Sequence, residues 1–195
     1  MSESVNPQVD FVCRNIESRD VHFIRCWFTD VLGAMKSFAV VPGEIENAFT
    51  EGMAFDSSCI KGFTDADEPD ALAFPDPSTF QVLPWRPQTD AVARMFCDIR
   101  LPDGQPFDGD PRYILERVIA KAADAGFSPT VGAELEFFYF KDANSAETLD
   151  VGSYFDLTSL DYASDLRRDT VLTLEGMGIP VKYSHHELGN SQHEI

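Results

Sequence analysis

Residues Gly132–Phe138 read GAELEFF, and their alternation decides how the second half of the chain must fold. On an extended strand, residues two apart share a face, so Glu134 and Glu136 project together, their backbones roughly 7 Å apart at ~3.3 Å per residue. Leu135 and Phe137 project the other way, toward a core. Two like charges on one face repel each other, and the neighbouring Phe137, Phe138 and Phe140 resist their hydration. The aromatic run predicts a strand buried on both faces. A solvated sheet face is one account of the two glutamates. A divalent cation held by them is the other.

A second dense group of His and Glu closes the chain, at residues 182–195: KYSHHELGNSQHEI. Read as a hairpin turning at Asn190–Ser191, it pairs Gly189 with Gln192, Leu188 with His193 and Glu187 with Glu194. Two glutamates directly opposite destabilise a hairpin unless something neutralises them. Mg²⁺ or Mn²⁺ suits such oxygen ligands. A zinc-peptidase motif fits poorly, because the next histidine after His186-Glu187 is His193, whereas H-E-x-x-H needs its histidines one helical turn apart. A surface loop rich in His and Glu is the alternative.

Outward from these stretches the chain reads as α+β. Residues 7–18 carry Val9, Val12, Cys13 and Ile16 at helical spacing, with Pro7 at the start. Residues 21–29 alternate, with Val21, Phe23 and Arg25 on one face and His22, Ile24, Cys26 and Phe28 on the other. A turn at 30–33 leads into a strand at 35–41. A short helix follows at 43–52, then a loop over 55–80, then strand-like runs at 80–85 and 91–99. Residues 101–112 carry three prolines and two glycines, which places a domain boundary at 108/109. Beyond it, Asp110 is the expected N-cap and Pro111 the first residue of a helix. Its core stripe is Leu115, Val118, Ile119 and Ala122, and Gly126 stops it. A strand at 130–140, a helix at 165–178 and a strand at 179–187 complete the pattern. So few strands would leave open edges and an uncovered face, which predicts that the chain is truncated and continues beyond Ile195.

Composition narrows the function. The 195 residues are 44% hydrophobic, enough for a core. A formal charge of −18 opposes binding to nucleic-acid phosphates and to anionic membranes. There is no apolar run of ~20 residues and no basic-then-apolar leader, so a cytoplasmic location is expected, with no membrane partner. Cys13, Cys26, Cys59 and Cys97 are scattered without a C-x-x-C, which predicts free thiols.

Taken together, five stretches resemble the glutamine synthetase family in its bacterial type I form. FTDVLGAMKSFAVVP (28–42) is similar to its early strand-turn-strand and FDSSCIKGF (55–63) to its D-G-S-S-I loop. PDPSTFQVLPW (75–85) is similar to its P-D-P-S-T segment, GAELEFF to its E-x-E-F-F strand, and SHHELGNSQHEI (184–195) to its H-H-E…G-Q-H-E hairpin. The resemblance implies a small β-grasp domain at 1–108 and, at 109–195, the beginning of a catalytic domain built on an antiparallel sheet with helices. It implies an ATP-dependent ligase that makes a γ-glutamyl amide from glutamate and ammonia through γ-glutamyl phosphate. Two divalent ions per site, Mg²⁺ or Mn²⁺, neutralise phosphate charge in such chemistry. By resemblance, Glu136, Glu187 and Glu194 would hold one ion and Glu134 would belong to the second. Asp56 would help take a proton from ammonium in the neighbouring subunit of a ring-shaped homo-oligomer, and Tyr154 would border the ammonium site.

The chain departs from the family pattern at Ser57, where the loop has Gly, at Cys59, where it has a second Ser, and at Lys182, where an acidic residue is common. A thiol in place of a hydroxyl puts ammonia specificity in doubt, so a small amine or polyamine is the alternative acceptor. The family's remaining ligands and nucleotide loop would lie after Ile195. The 195 residues alone are therefore expected to be inactive. A non-catalytic partner of a full synthetase is the competing reading.

Overall fold

The computed structural model describes residues 6–60, 62, 70–86 and 89–195. The chain divides into two compact units, Met1–Pro129 and Thr130–Ile195. The expected loop over 55–80 lies partly outside the described residues, at 61 and 63–69.

The first unit opens with α1 (Pro7–Ser18). Asn6 caps it by accepting the Gln8 N–H at 3.0 Å, and Pro7 sits where no amide is needed. Val12 and Ile16, one turn apart, are its buried face. Strands β1 (Val21–Thr29) and β2 (Met35–Val40) follow, then α2 (Ile45–Thr50), β3 (Met53–Asp56), β4 (Asp70–Pro75), β5 (Gln81–Val82) and β6 (Ala91–Arg100). They form one sheet in the order β2-β1-β6-β4-β3, with β5 also on β6. Only β1 and β6 run parallel; the other pairs are antiparallel. Ala91, Ala93, Met95, Cys97 and Ile99 alternate inward along β6 and meet Ile24, Cys26, Phe28, Val12 and Ile16 in an apolar core. All four cysteines are free thiols.

Two expectations for this sheet are corrected. Val21 is buried rather than on the outer face with Phe23, because the β1–β6 register shifts between them and the bulge turns Val21 inward. β3 and β4 occupy a stretch expected to be loop. The inward residues of β4 include Ala71 and Ala73, whose small side chains give little alternation signal.

Helix α3 (Pro111–Asp124) also belongs to the first unit. Asp110 caps it through the Arg112 N–H (3.0 Å) and also accepts the Ile99 N–H of β6 (2.9 Å), so one buried carboxylate joins helix to sheet. Arg112 adds bonds to Asp98 (2.9 Å) and Asp76 (2.8 Å). Gly126 takes φ +83 at the end, as a C-terminal stop requires. The stripe expected to be core is not: Leu115, Val118 and Ile119 are exposed and no α3 residue is buried.

In the second unit, β7 (Glu136–Phe138), β8 (His185–His186) and β9 (Gln192–Glu194) form an antiparallel sheet in the order β7-β9-β8, accompanied by α4 (Ser164–Gly176). The β7–β9 ladder extends by mutual bonds between Leu135 and Ile195 (3.0 and 3.1 Å). The long strands expected at 130–140 and 179–187 thus shrink to cores of three and two residues. The expected burial of β7 on both faces does not occur either, since Phe138 and Phe140 are exposed. Among the described residues, no helix is long and apolar enough to cross a membrane.

Candidate metal-binding site

β9 lies between β7 and β8, so Glu194 has Glu136 as its partner on one side and His185 on the other. This row, together with Glu187 and Gln192, occupies one face of the small sheet. Glu187 stays there although the hairpin register differs from the expected one. Glu194 is opposite His185, not Glu187, and the turn is four residues long, Leu188–Ser191. It is closed by the Glu187 N–H on the Gln192 carbonyl (2.7 Å) and the Gln192 N–H on the Gly189 carbonyl (3.0 Å). A two-residue turn at Asn190–Ser191 would favour positive φ at both, and only Ser191 has it (φ 55). The shift is by two residues, which preserves the face of every side chain.

His185, Glu187 and Glu194 each place one ligand atom within 4.8 Å of the others, and all three are half-buried. His185 lies 3.6 Å from Glu187 Oε1 and 3.6 Å from Glu194 Oε2 through its two ring nitrogens. Glu187 Oε2 accepts the Leu188 N–H at 2.9 Å. Gln192 donates to Glu136 Oε2 (2.7 Å) while its carbonyl oxygen accepts the Gly189 N–H (2.9 Å). A Cβ at Gly189 would come within 2.8 Å of that side-chain oxygen, so a larger residue there would have to displace the Gln192 amide. Desolvation raises the Glu194 carboxyl; His185 opposes the shift, and Glu134, Glu136 and Glu187 push it further up. Glu187 and Glu194 beside one imidazole, with Glu134 and Glu136 acting on Glu194, form a donor set that fits a hard divalent cation. Tyr154 stacks on Phe155 (4.0 Å between centroids) and meets the His185 ring edge-on at 5.5 Å, so it borders this cluster.

Asp56 ends β3 in the first unit. Its carboxylate accepts the Ser58 N–H (3.0 Å), the Ser58 hydroxyl (2.6 Å) and the Cys59 thiol (3.5 Å). The Ser58 hydroxyl, then the thiol, hold it below the usual carboxylate range, and the carboxylate in turn raises the Cys59 thiol.

The opposite face of the small sheet carries residues that the sequence reading passed over. His186 and His193 are partners across β8 and β9 and are fully buried. His186 faces the Glu187 carbonyl (2.6 Å) and Asp150 Oδ1 (3.1 Å), two acceptors. Burial opposes a charge on this ring, but the Asp150 contact outweighs it and raises its pKa. Arg167 pairs with Asp161 (2.7 and 3.2 Å) and points a third N–H at His193 Nδ1 (2.7 Å). Burial, then Arg167, lower the His193 pKa. Asp150, His186 and His193 also come within 4.8 Å of one another. They do not suit a metal: with Arg167 donating to Nδ1, neutral His193 carries its hydrogen on Nε2 and has no lone pair there to give. Alternation alone would have placed His186 and His193 inward, opposite to Glu187 and Glu194; nothing local marks Asp150, Asp161 or Arg167.

Two family models match in chain order: the glutamine synthetase β-grasp domain over residues 20–102 and the glutamine synthetase catalytic domain over 108–195. The chain belongs to the glutamine synthetase family. Its fold is accordingly a β-grasp domain followed by the opening of a glutamine synthetase catalytic domain. A glutamine synthetase from Methanosarcina mazei is 53% identical over 94% of this chain and 42% of its own length. One from Mycolicibacterium smegmatis is 50% identical over 96% and 44%. The cryo-EM structure of Plasmodium falciparum glutamine synthetase shares the fold, with a TM-score of 0.82 at 24% identity over all of this chain and 44% of that one. The chain thus spans less than half the length of the curated glutamine synthetases it matches.

Proposed function

We propose that this chain supplies part of the active site of an ATP-dependent glutamate–ammonia ligase, with domains at 1–108 and 109–195. The observation that carries the reading is the convergence of Glu136, from β7, with Glu187 and Glu194, from the 185–194 hairpin, on one face with His185. Glu136, Glu187 and Glu194 would hold one Mg²⁺ or Mn²⁺, and Glu134 would serve a second. Bound there, divalent ions supply the positive charge that phosphoryl transfer from ATP to the glutamate γ-carboxylate requires. Asp56, held ionised by Ser58 and Cys59, would attract ammonium and take up its proton. Tyr154 would wall the acceptor pocket. A ring-shaped homo-oligomer in the cytoplasm, with neighbouring subunits sharing sites, completes the proposal.

By themselves the 195 residues, under half the length of their relatives, are proposed to bind the ion without completing the reaction. Two experiments test this. Calorimetric titration of the full chain with Mn²⁺ should show binding that Glu187→Gln and Glu194→Gln each abolish; undiminished binding in both variants refutes the site. Phosphate release by the natively produced protein should require ATP, glutamate and ammonia. Equal or faster turnover with methylamine would transfer the assignment to an amine ligase.

A further inference from the structure

Asp150, Asp161, Arg167, His186 and His193 are each at most 7% exposed, behind a sheet whose strands are only two or three residues long. Stability is a poor reason for such a network, because well-packed apolar side chains of similar volume usually do as well or better. So short a ladder cannot by itself fix the turn that joins Glu187 to Glu194. Asp150 makes good the deficit from 41 residues away. Its Oδ1 accepts the N–H groups of Ser191 (2.9 Å) and Gly152 (3.1 Å) and faces His186 Nε2 (3.1 Å), and its Oδ2 accepts the Tyr162 N–H (3.2 Å). Its backbone N–H donates to the Ser191 hydroxyl at 2.6 Å. Ser191 is thereby held at φ 55, at one end of the turn. At the other end His186, anchored on Asp150, meets the Glu187 carbonyl at 2.6 Å. The approach is close enough that a Cβ on Gly152 would come within 2.7 Å of His186 Nε2.

We propose that Asp150 is a positioning residue for the divalent-ion site: from the buried face it fixes both ends of the Leu188–Ser191 turn and so sets the spacing of Glu187 and Glu194. The proposal rests on the metal-site reading above. Partners that orient metal ligands without touching the metal typically contribute roughly 10–100-fold to affinity. The test is Mn²⁺ affinity by calorimetry and the EPR line shape of bound Mn²⁺, on the full chain, well below each variant's unfolding temperature. Asp150→Ala should weaken binding by about that factor and broaden the Mn²⁺ signal. Asp150→Asn, which keeps one acceptor oxygen, should lose less. Ser191→Gly, which accepts φ 55 without strain, keeps the fold while cutting the hydroxyl links, and should weaken binding several-fold. Leu172→Gly is the control: it lowers the stability of α4 from an exposed position in the helix interior and should leave affinity unchanged. Binding lost in Glu187→Gln but intact in both Asp150→Asn and Ser191→Gly overturns the positioning role alone. Binding intact in Glu187→Gln removes the ion site and the positioning role together.

Discussion

The two units solve the problem of a core in opposite ways. The first buries Val12, Ile24, Met95, Ile99 and their neighbours in a continuous apolar cluster. The second, among the described residues, buries one apolar side chain, Ala163, beside Asp150, Asp161, Arg167, His186, Ser191 and His193. Apolar burial is nondirectional and tolerates small displacements, so it makes a robust scaffold. Hydrogen-bonded charges tolerate little displacement but dictate where each group sits. The second unit therefore trades robustness for placement, which is what a set of repelling carboxylates requires.

The contrast can be broken most sharply at Arg167. Arg167→Ala leaves Asp161 buried without its partner and should cost the second unit about 3–5 kcal/mol, while the first unit's transition is preserved; urea unfolding followed by near-UV circular dichroism would separate the two. Ile24→Ala should do the reverse, removing about 2–5 kcal/mol from the first unit and sparing Mn²⁺ binding in the second. Asp110→Ala removes both the α3 cap and the acceptor for the Ile99 N–H, for a loss of about 1–3 kcal/mol seen in the same unfolding curves.

A smaller effect sharpens the comparison through pH. Burial tends to raise the Asp150 carboxyl, but the His186 contact and three backbone N–H bonds outweigh it and hold it below the usual range. A depressed folded pKa contributes stability that is present above the unfolded value, about 3.9, and is lost as pH falls through the folded value. Acid titration followed by amide exchange should therefore release the 185–194 hairpin below about pH 4. In Asp150→Asn this acid-dependent step should be absent.

What the sequence disclosed depended on how local the controlling interaction was. The start of α1 and both limits of α3 could be read because Pro7, Asp110, Pro111 and Gly126 act within one turn. That Glu187 and Glu194 share a face was legible because a period of two survives any even error in register; that Glu136 joins them was implied only by the family resemblance, because nothing local pairs β7 with β9. The register itself was not legible, because Asp150, far away in the chain, selects the turn. β4 was hidden by its small inward alanines, Ala71 and Ala73. The stripe on α3 was read correctly as apolar and wrongly as buried, since periodicity identifies a face but not what covers it. The charged interior of the second unit was invisible for a related reason: Asp161, Arg167 and His193 become partners only once α4 and the hairpin are in place.

The parallel pairing of β1 with β6 also has a consequence in time. Ile24 lies opposite Ala93, and the two strand starts are joined by an Asp90–Asp20 bond that spans seventy residues. The hairpin of β1 and β2 needs only a tight turn and can close within microseconds. The central pairing must first close a long loop, a penalty met before any core contact offsets it. During synthesis, β1 therefore waits with one edge unpaired until residue 100 has left the ribosome. Phe23, exposed even in the finished fold, lies along the strand that waits. The interval in which the chain is most open to aggregation is thus set by the sheet order, before any of the catalytic domain can fold.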